Sequence, residues 1–144
     1  MRLLVIHGPN LNLLGTREPA IYGTKTLEEI NRDVAAAAAD LSITTHFMQF
    51  NAEGEIIDAI QGARNSADVL IINPGAYSHY SHAIADAITA AGVVAIEVHL
   101  SNIFAREPFR RQSVIAPACV GSIVGFGSQS YVLAVRAAAQ IRIG

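Results

Sequence analysis

Apolar positions along the chain fall into two periodicities. Short continuous apolar runs at residues 3–6 and 69–72 read as strands buried on both faces, as in a parallel sheet. Between them, apolar residues recur at helical spacing, as at Ile56, Ile57 and Ile60. The pattern predicts strands over residues 2–7, 43–50, 68–73, 93–99 and 118–124. It predicts helices over residues 26–41, 53–65, 81–91 and 128–142. Thr26 followed by Glu29 forms a capping box that starts the first helix. Val132, Val135, Ala139 and Ile143 line one face of the last. The strand over residues 43–50 alternates only weakly, which suits a sheet edge. Pro74-Gly75 stops the third strand, and a loop with one short helical turn covers residues 102–112.

Strands alternating with helices imply parallel pairing through right-handed crossovers. Five such units predict an α/β, flavodoxin-like three-layer sandwich with a five-stranded parallel sheet in the order 2-1-3-4-5. Residues 1–144 are expected to form one such domain.

One connection breaks the rhythm. Residues 8–23 separate the first strand from the first helix, far beyond the usual strand-to-helix loop of about 2–6 residues. Leu11, Leu13, Leu14 and Ile21 are too apolar for a solvated linker. The stretch carries Arg17 and Tyr22 between Gly15 and Gly23, and is read as a mobile lid with glycine hinges.

Composition narrows the classes. The chain has 144 residues, 51% hydrophobic and 15% charged, against a typical charged share of about 25%. So few charges favour contacts between copies of the chain. A net charge of −2 gives no electrostatic case for nucleic acid or an acidic membrane. No apolar run approaches a membrane span, and the first run is too short for a secretory signal, so a cytoplasmic protein is expected. Cys119 is the only cysteine, which leaves no disulfide framework or thiolate cluster. Lys25 is the only lysine and falls in an exposed turn, where imine chemistry lacks the desolvated amine it needs.

Candidate chemistry gathers where open parallel sheets bind ligands, beyond the carboxyl ends of the strands at the switch between strands one and three. Asn10 follows strand one; Asn73 ends strand three, with His79 in the loop beyond it. Glu97, His99 and Ser101 share a face at the end of strand four. A carboxylate beside an imidazole fixes its tautomer and raises its basicity; the same pair also fits a buried structural network. Free phenols ionise only near pH 10, so Tyr22 as a base needs cations, which Arg17, Arg106 and Arg110 are placed to supply. A surface arginine and a loop-anchoring tyrosine are the alternative. Arginines beside asparagines and a serine suggest a small hydroxylated carboxylate as ligand. His79 and His82 lack a clear third ligand, so no metal site is expected. His7 and His46 read as structural. The glycines near residues 125–130 read as strand-to-helix packing.

Taken together, the motifs resemble a family. His-Gly-Pro-Asn-Leu-Asn at 7–12, Arg-Glu-Pro-Ala-Ile-Tyr-Gly at 17–23, Asn-Pro-Gly-Ala-Tyr-Ser-His at 73–79, Glu-Val-His-Leu-Ser-Asn at 97–102 and Ala-Arg-Glu-Pro-Phe-Arg at 105–110 resemble type II 3-dehydroquinate dehydratase across essentially the whole chain. The resemblance implies anti elimination of water from 3-dehydroquinate through an enolate, giving 3-dehydroshikimate in the shikimate or quinate pathway. Tyr22 would be the base, favoured in its ionised form by Arg17. Asn10 would hold a water against the enolate oxygen, and His99, oriented by Glu97, would be the acid. Asn73, His79, Ser101, Arg110 and the backbone of Leu100 would bind substrate. Asp86 would come from a neighbouring subunit of a dodecamer built from four trimers. The family needs no metal or cofactor. Phe104, Ala85 and Tyr80 depart from common family residues at the rim. Two other readings fit the same fold: a non-catalytic module that binds a small hydroxy-acid, and a flavin or nucleotide protein.

Overall fold

Residues 1–143 are described by a computed structural model. Five strands, β1 (Arg2–His7), β2 (Thr44–Gln49), β3 (Val69–Asn73), β4 (Val94–His99) and β5 (Gly121–Val124), form one parallel sheet in the order β2-β1-β3-β4-β5. The order is the expected flavodoxin-like one, with β2 at an edge.

Alternation along the strands builds two cores. Leu3, Val5, Val69, Ile71, Ile96 and Val98 face helices α2 (Leu27–Asp40) and α5 (Gln129–Gln140), where Ile30, Val34, Val135 and Ala138 meet them. Leu4, Ile6, Leu70, Ile72 and Ala95 face α3 (Glu53–Ser66) and α4 (His82–Ala91), against Ile56, Ile60, Ile84 and Ile88. Burial on both faces explains why these strands read as unbroken apolar runs. The Thr26 hydroxyl accepts from the Glu29 amide at the start of α2, so the capping box forms as expected.

Two boundaries differ from expectation. Strand five begins three residues later than the pattern predicted, because Ala116–Ala118 forms a helical turn around Pro117, which has no amide proton to give to a sheet. The loop after β4 contains two helical turns, Ile103–Ala105 and Pro108–Arg111, rather than one.

The lid is smaller than the 16-residue stretch suggested. Leu11 and Leu14 are buried in the α2/α5 core, so residues 8–14 are anchored. The segment between Gly15 and Gly23, both at positive φ, brings Arg17 and Tyr22 to the pocket and ends in the short helix α1 (Pro19–Tyr22).

Candidate active site

The loops after β1 and β3 pack against each other at the switch in strand order. The Gly8 amide donates to the Asn73 carbonyl at 2.7 Å. A Cβ at Gly8 would lie 2.7 Å from the Pro74 carbonyl carbon, so only glycine allows this approach. Asn10 takes a left-handed conformation, and its amide donates to the Asn51 side chain at 3.0 Å. The Asn73 side chain accepts from the Gly75 amide. These contacts fix the floor of a pocket lined by Asn10, Arg17, Tyr22, Asn73, His79, His99, Leu100, Ser101, Arg106 and Arg110.

On the lid side, Arg17 Cζ sits 4.5 Å from the centre of the Tyr22 ring and Arg106 Cζ sits 5.1 Å from it. Two guanidinium groups thus lie against one phenol ring. The Arg106 terminal nitrogen donates to Ser101 Oγ at 3.2 Å, while its Nε is buried with no partner. An unpaired donor in the wall is available to a ligand.

Opposite stands a pair from β4. Glu97 and His99 share the face set by strand alternation, with Glu97 Oε2 3.4 Å from His99 Nε2. That length is long for a charge-assisted hydrogen bond, yet Nε2 is sealed from solvent and has no other partner. Glu97 lies behind His99, 1% exposed, and does not line the pocket. Its other oxygen accepts from Ser113 Oγ at 2.7 Å. His79 stacks on His99 with ring centres 6.4 Å apart. Its Nδ1 donates to the Gln112 carbonyl. Burial above all, with the neighbouring Arg110 charge adding to it, holds the His79 imidazole below its ordinary pKa. Arg110 is held by Glu107, whose carboxyl this hydrogen bond keeps below the usual range.

Of the eleven residues singled out from the sequence, nine line this one pocket, counting Leu100, and Glu97 supports it from behind. Asp86 is exposed on α4 and lies outside the pocket of its own chain. Arg111 is exposed and does not reach it. Lys25 is exposed and paired with Asp33, also outside the pocket. His7 is buried and bonded at both ring nitrogens, as a structural histidine should be, whereas His46 is exposed. Among the described residues, no group of three or more His, Cys, Asp or Glu side chains is placed to hold a metal ion. Sequence reading named Arg106 and Arg110 as further cations for Tyr22, and of the two Arg106 lies over the Tyr22 ring; it missed Asn51 and Ser113. No periodicity or motif marks those last two, whose partners are far along the chain.

A phenol against two guanidinium groups, sharing a pocket with a carboxylate-backed imidazole at the switch point of a flavodoxin-like sheet, marks an acid–base enzyme. The comparisons agree on which one. The model of the family "Dehydroquinase class II" matches residues 1–139. The 3-dehydroquinate dehydratase of Pelotomaculum thermopropionicum is 52% identical over 98% of both chains. That of Geotalea daltonii is 55% identical over 95% of both. The crystal structure of type II dehydroquinase from Butyrivibrio crossotus superposes with a TM-score of 0.93 at 46% identity, covering 95% of this chain and 96% of that one. The chain belongs to the type II dehydroquinase family.

Proposed function

We propose that this protein is a 3-dehydroquinate dehydratase, a hydro-lyase that forms 3-dehydroshikimate by anti elimination. The observation that carries this is the Arg17–Tyr22–Arg106 stack, facing the His99–Glu97 pair across one pocket. The Tyr22 phenolate takes the proton alpha to the ketone, and the electron pair left behind becomes an enolate. Asn10 holds a water against the enolate oxygen. The enolate then collapses, the carbon–oxygen bond to the departing hydroxyl breaks, and His99 gives that oxygen its proton, so water leaves. One base, one acid and a stabilised oxyanion suffice for this reaction. Asn73, His79, Leu100, Ser101 and Arg110 bind the substrate's hydroxyls and carboxylate, a role supported by their shared lining of the pocket.

Residues 1–144 act as one domain, supported by the single sheet that both cores share. Asp86 reaches the pocket of a neighbouring subunit in a dodecamer of four trimers. Its exposure supports this, as do Tyr80, Phe104 and Phe109, each more than half exposed. No helix of the described residues is long and apolar enough to cross a membrane; the enzyme is taken to work in the cytoplasm.

The test is growth of enone absorbance from 3-dehydroquinate, with and without chelator and borohydride. Turnover that survives both supports a route without metal or imine. Absence of product, with the ligand still bound, would favour a binding module.

A further inference from the structure

Ser113 lies in the loop beyond β4, outside the pocket wall. The amides of Ile115 and Ala116 both donate to its hydroxyl oxygen, at 3.2 and 3.0 Å. A hydroxyl has two acceptor sites and one proton. With both acceptor sites taken, the proton has one direction left, toward Glu97 Oε1 at 2.7 Å. Ser113 is therefore an obligate donor to that oxygen, and the carboxyl cannot carry its own proton there. Glu97 is 1% exposed, so no bulk water replaces the serine. Its second oxygen is left facing His99 Nε2, which has no other partner.

We propose that Ser113 is a positioning residue for the acid: it locks the Glu97 carboxylate so that His99 always holds one proton on Nε2, and the proton given to the departing hydroxyl is the second one, carried on Nδ1 of the imidazolium. The inference rests on the dehydratase reading above for its kinetic consequence, but not for its structural one. Which nitrogen of an imidazole carries the proton is set by the bond that the other partner makes.

Other groups near the pair do not compete for this role. His79 stacks on His99, and its Nδ1 is taken by the Gln112 carbonyl. Arg17, Tyr22, Arg106 and Arg110 share the pocket lining with His99. The Cys119 thiol, packed behind, is pushed up to about 12 by burial and by Glu97, and is neutral near pH 7. Among the described residues, Ser113 makes the one hydrogen bond to Glu97 Oε1.

The experiment pairs kinetics with ¹⁵N NMR of the histidine rings at a pH where imidazoles are neutral. In the wild type, His99 should be a single Nε2–H tautomer. Ser113→Ala should mix the two tautomers and lower kcat about 10-fold, part of the roughly 10²–10⁴-fold worth of general acid catalysis, with KM changed less than about twofold. Ser113→Thr keeps the hydroxyl and should restore both readouts. Wild-type protein with His99 protonated on Nδ1 would overturn the proposal, as would Ser113→Ala with one tautomer and full kcat. Should Ser113→Ala not fold, the wild-type and Ser113→Thr spectra decide, since a mixed tautomer in either contradicts the assignment. A wild type without turnover but with the stated tautomer pattern would refute the dehydratase reading while leaving the serine's role standing.

Discussion

His7 closes β1 and His99 closes β4, at the same end of one sheet but on opposite faces. Both are buried, with His7 fully covered and His99 6% exposed. His7 points toward α2 and α5, where Tyr131 meets Nδ1 at 2.8 Å and Asn31 Oδ1 meets Nε2 at 2.7 Å. An amide oxygen can only accept, so Nε2 donates to Asn31 and Nδ1 accepts from the tyrosine hydroxyl. Every polar atom of that ring is used, by neutral groups. His99 has one nitrogen against a carboxylate and its ring in a pocket wall. The same side chain is a fixed strut in one place and the proposed proton donor in the other. What separates them is the charge of the partner and whether one nitrogen is left free, rather than depth of burial.

The two histidines should separate most widely in turnover. His99→Asn removes the acid and should lower kcat by roughly 10³-fold, within the range for general acid catalysis and equal to about 4 kcal/mol of barrier. Its thermal midpoint should stay within a few degrees of the wild type by scanning calorimetry. Turnover within tenfold of the wild type would remove the distinction.

Next in size is a stability change with pH to which His7 contributes and His7→Gln should not. Burial lowers its pKa from 6.5 to about 4, with the hydrogen bond to Asn31 opposing. The unfolded chain therefore takes up this proton first on acidification. The contribution to stability is complete above pH 6.5 and is lost as pH falls toward 4, an effect on the order of 3 kcal/mol. Urea unfolding across this window should show the loss, and His7→Gln should flatten it. An unchanged slope in His7→Gln would assign the effect elsewhere.

The smallest effect comes from the strut's own partner. Asn31→Ala leaves His7 Nε2 without its acceptor and should cost about 1 kcal/mol, at the low end for a stranded polar group, because alanine also favours the helix. Turnover should stay within about twofold; a large loss would mean that the strut also serves the pocket.

Much of the sheet could be read from residue pattern because burial on both faces leaves a clear mark, as at residues 69–72. Element ends were harder. Pro117 delayed strand five, and the burial of Leu11 and Leu14 shortened the lid, both outcomes of packing that no local pattern states. The site divides in the same way. Arg17 and Tyr22 stood out because their loop is too long and too apolar to be a linker. Glu97 and His99 stood out because strand alternation puts them on one face. Ser113 and Asn51 carried no such mark. Their hydrogen bonds to Glu97 and to the Asn10 amide join loops 16 and 41 residues apart, and only the fold brings them together. Arg106 was legible as one of several cations available to Tyr22, and the fold singles it out by laying its guanidinium over the ring.

The central claim is that the Tyr22 phenol, with two guanidinium groups against its ring, is the base. Turnover and substrate affinity of Tyr22→Phe, measured side by side, test it most directly. The account predicts enone formation lower by roughly 10³-fold, with calorimetric affinity for 3-dehydroquinate within about threefold of the wild type. A variant that binds the substrate and keeps more than about a tenth of wild-type turnover, a loss under about 1.4 kcal/mol, would contradict it.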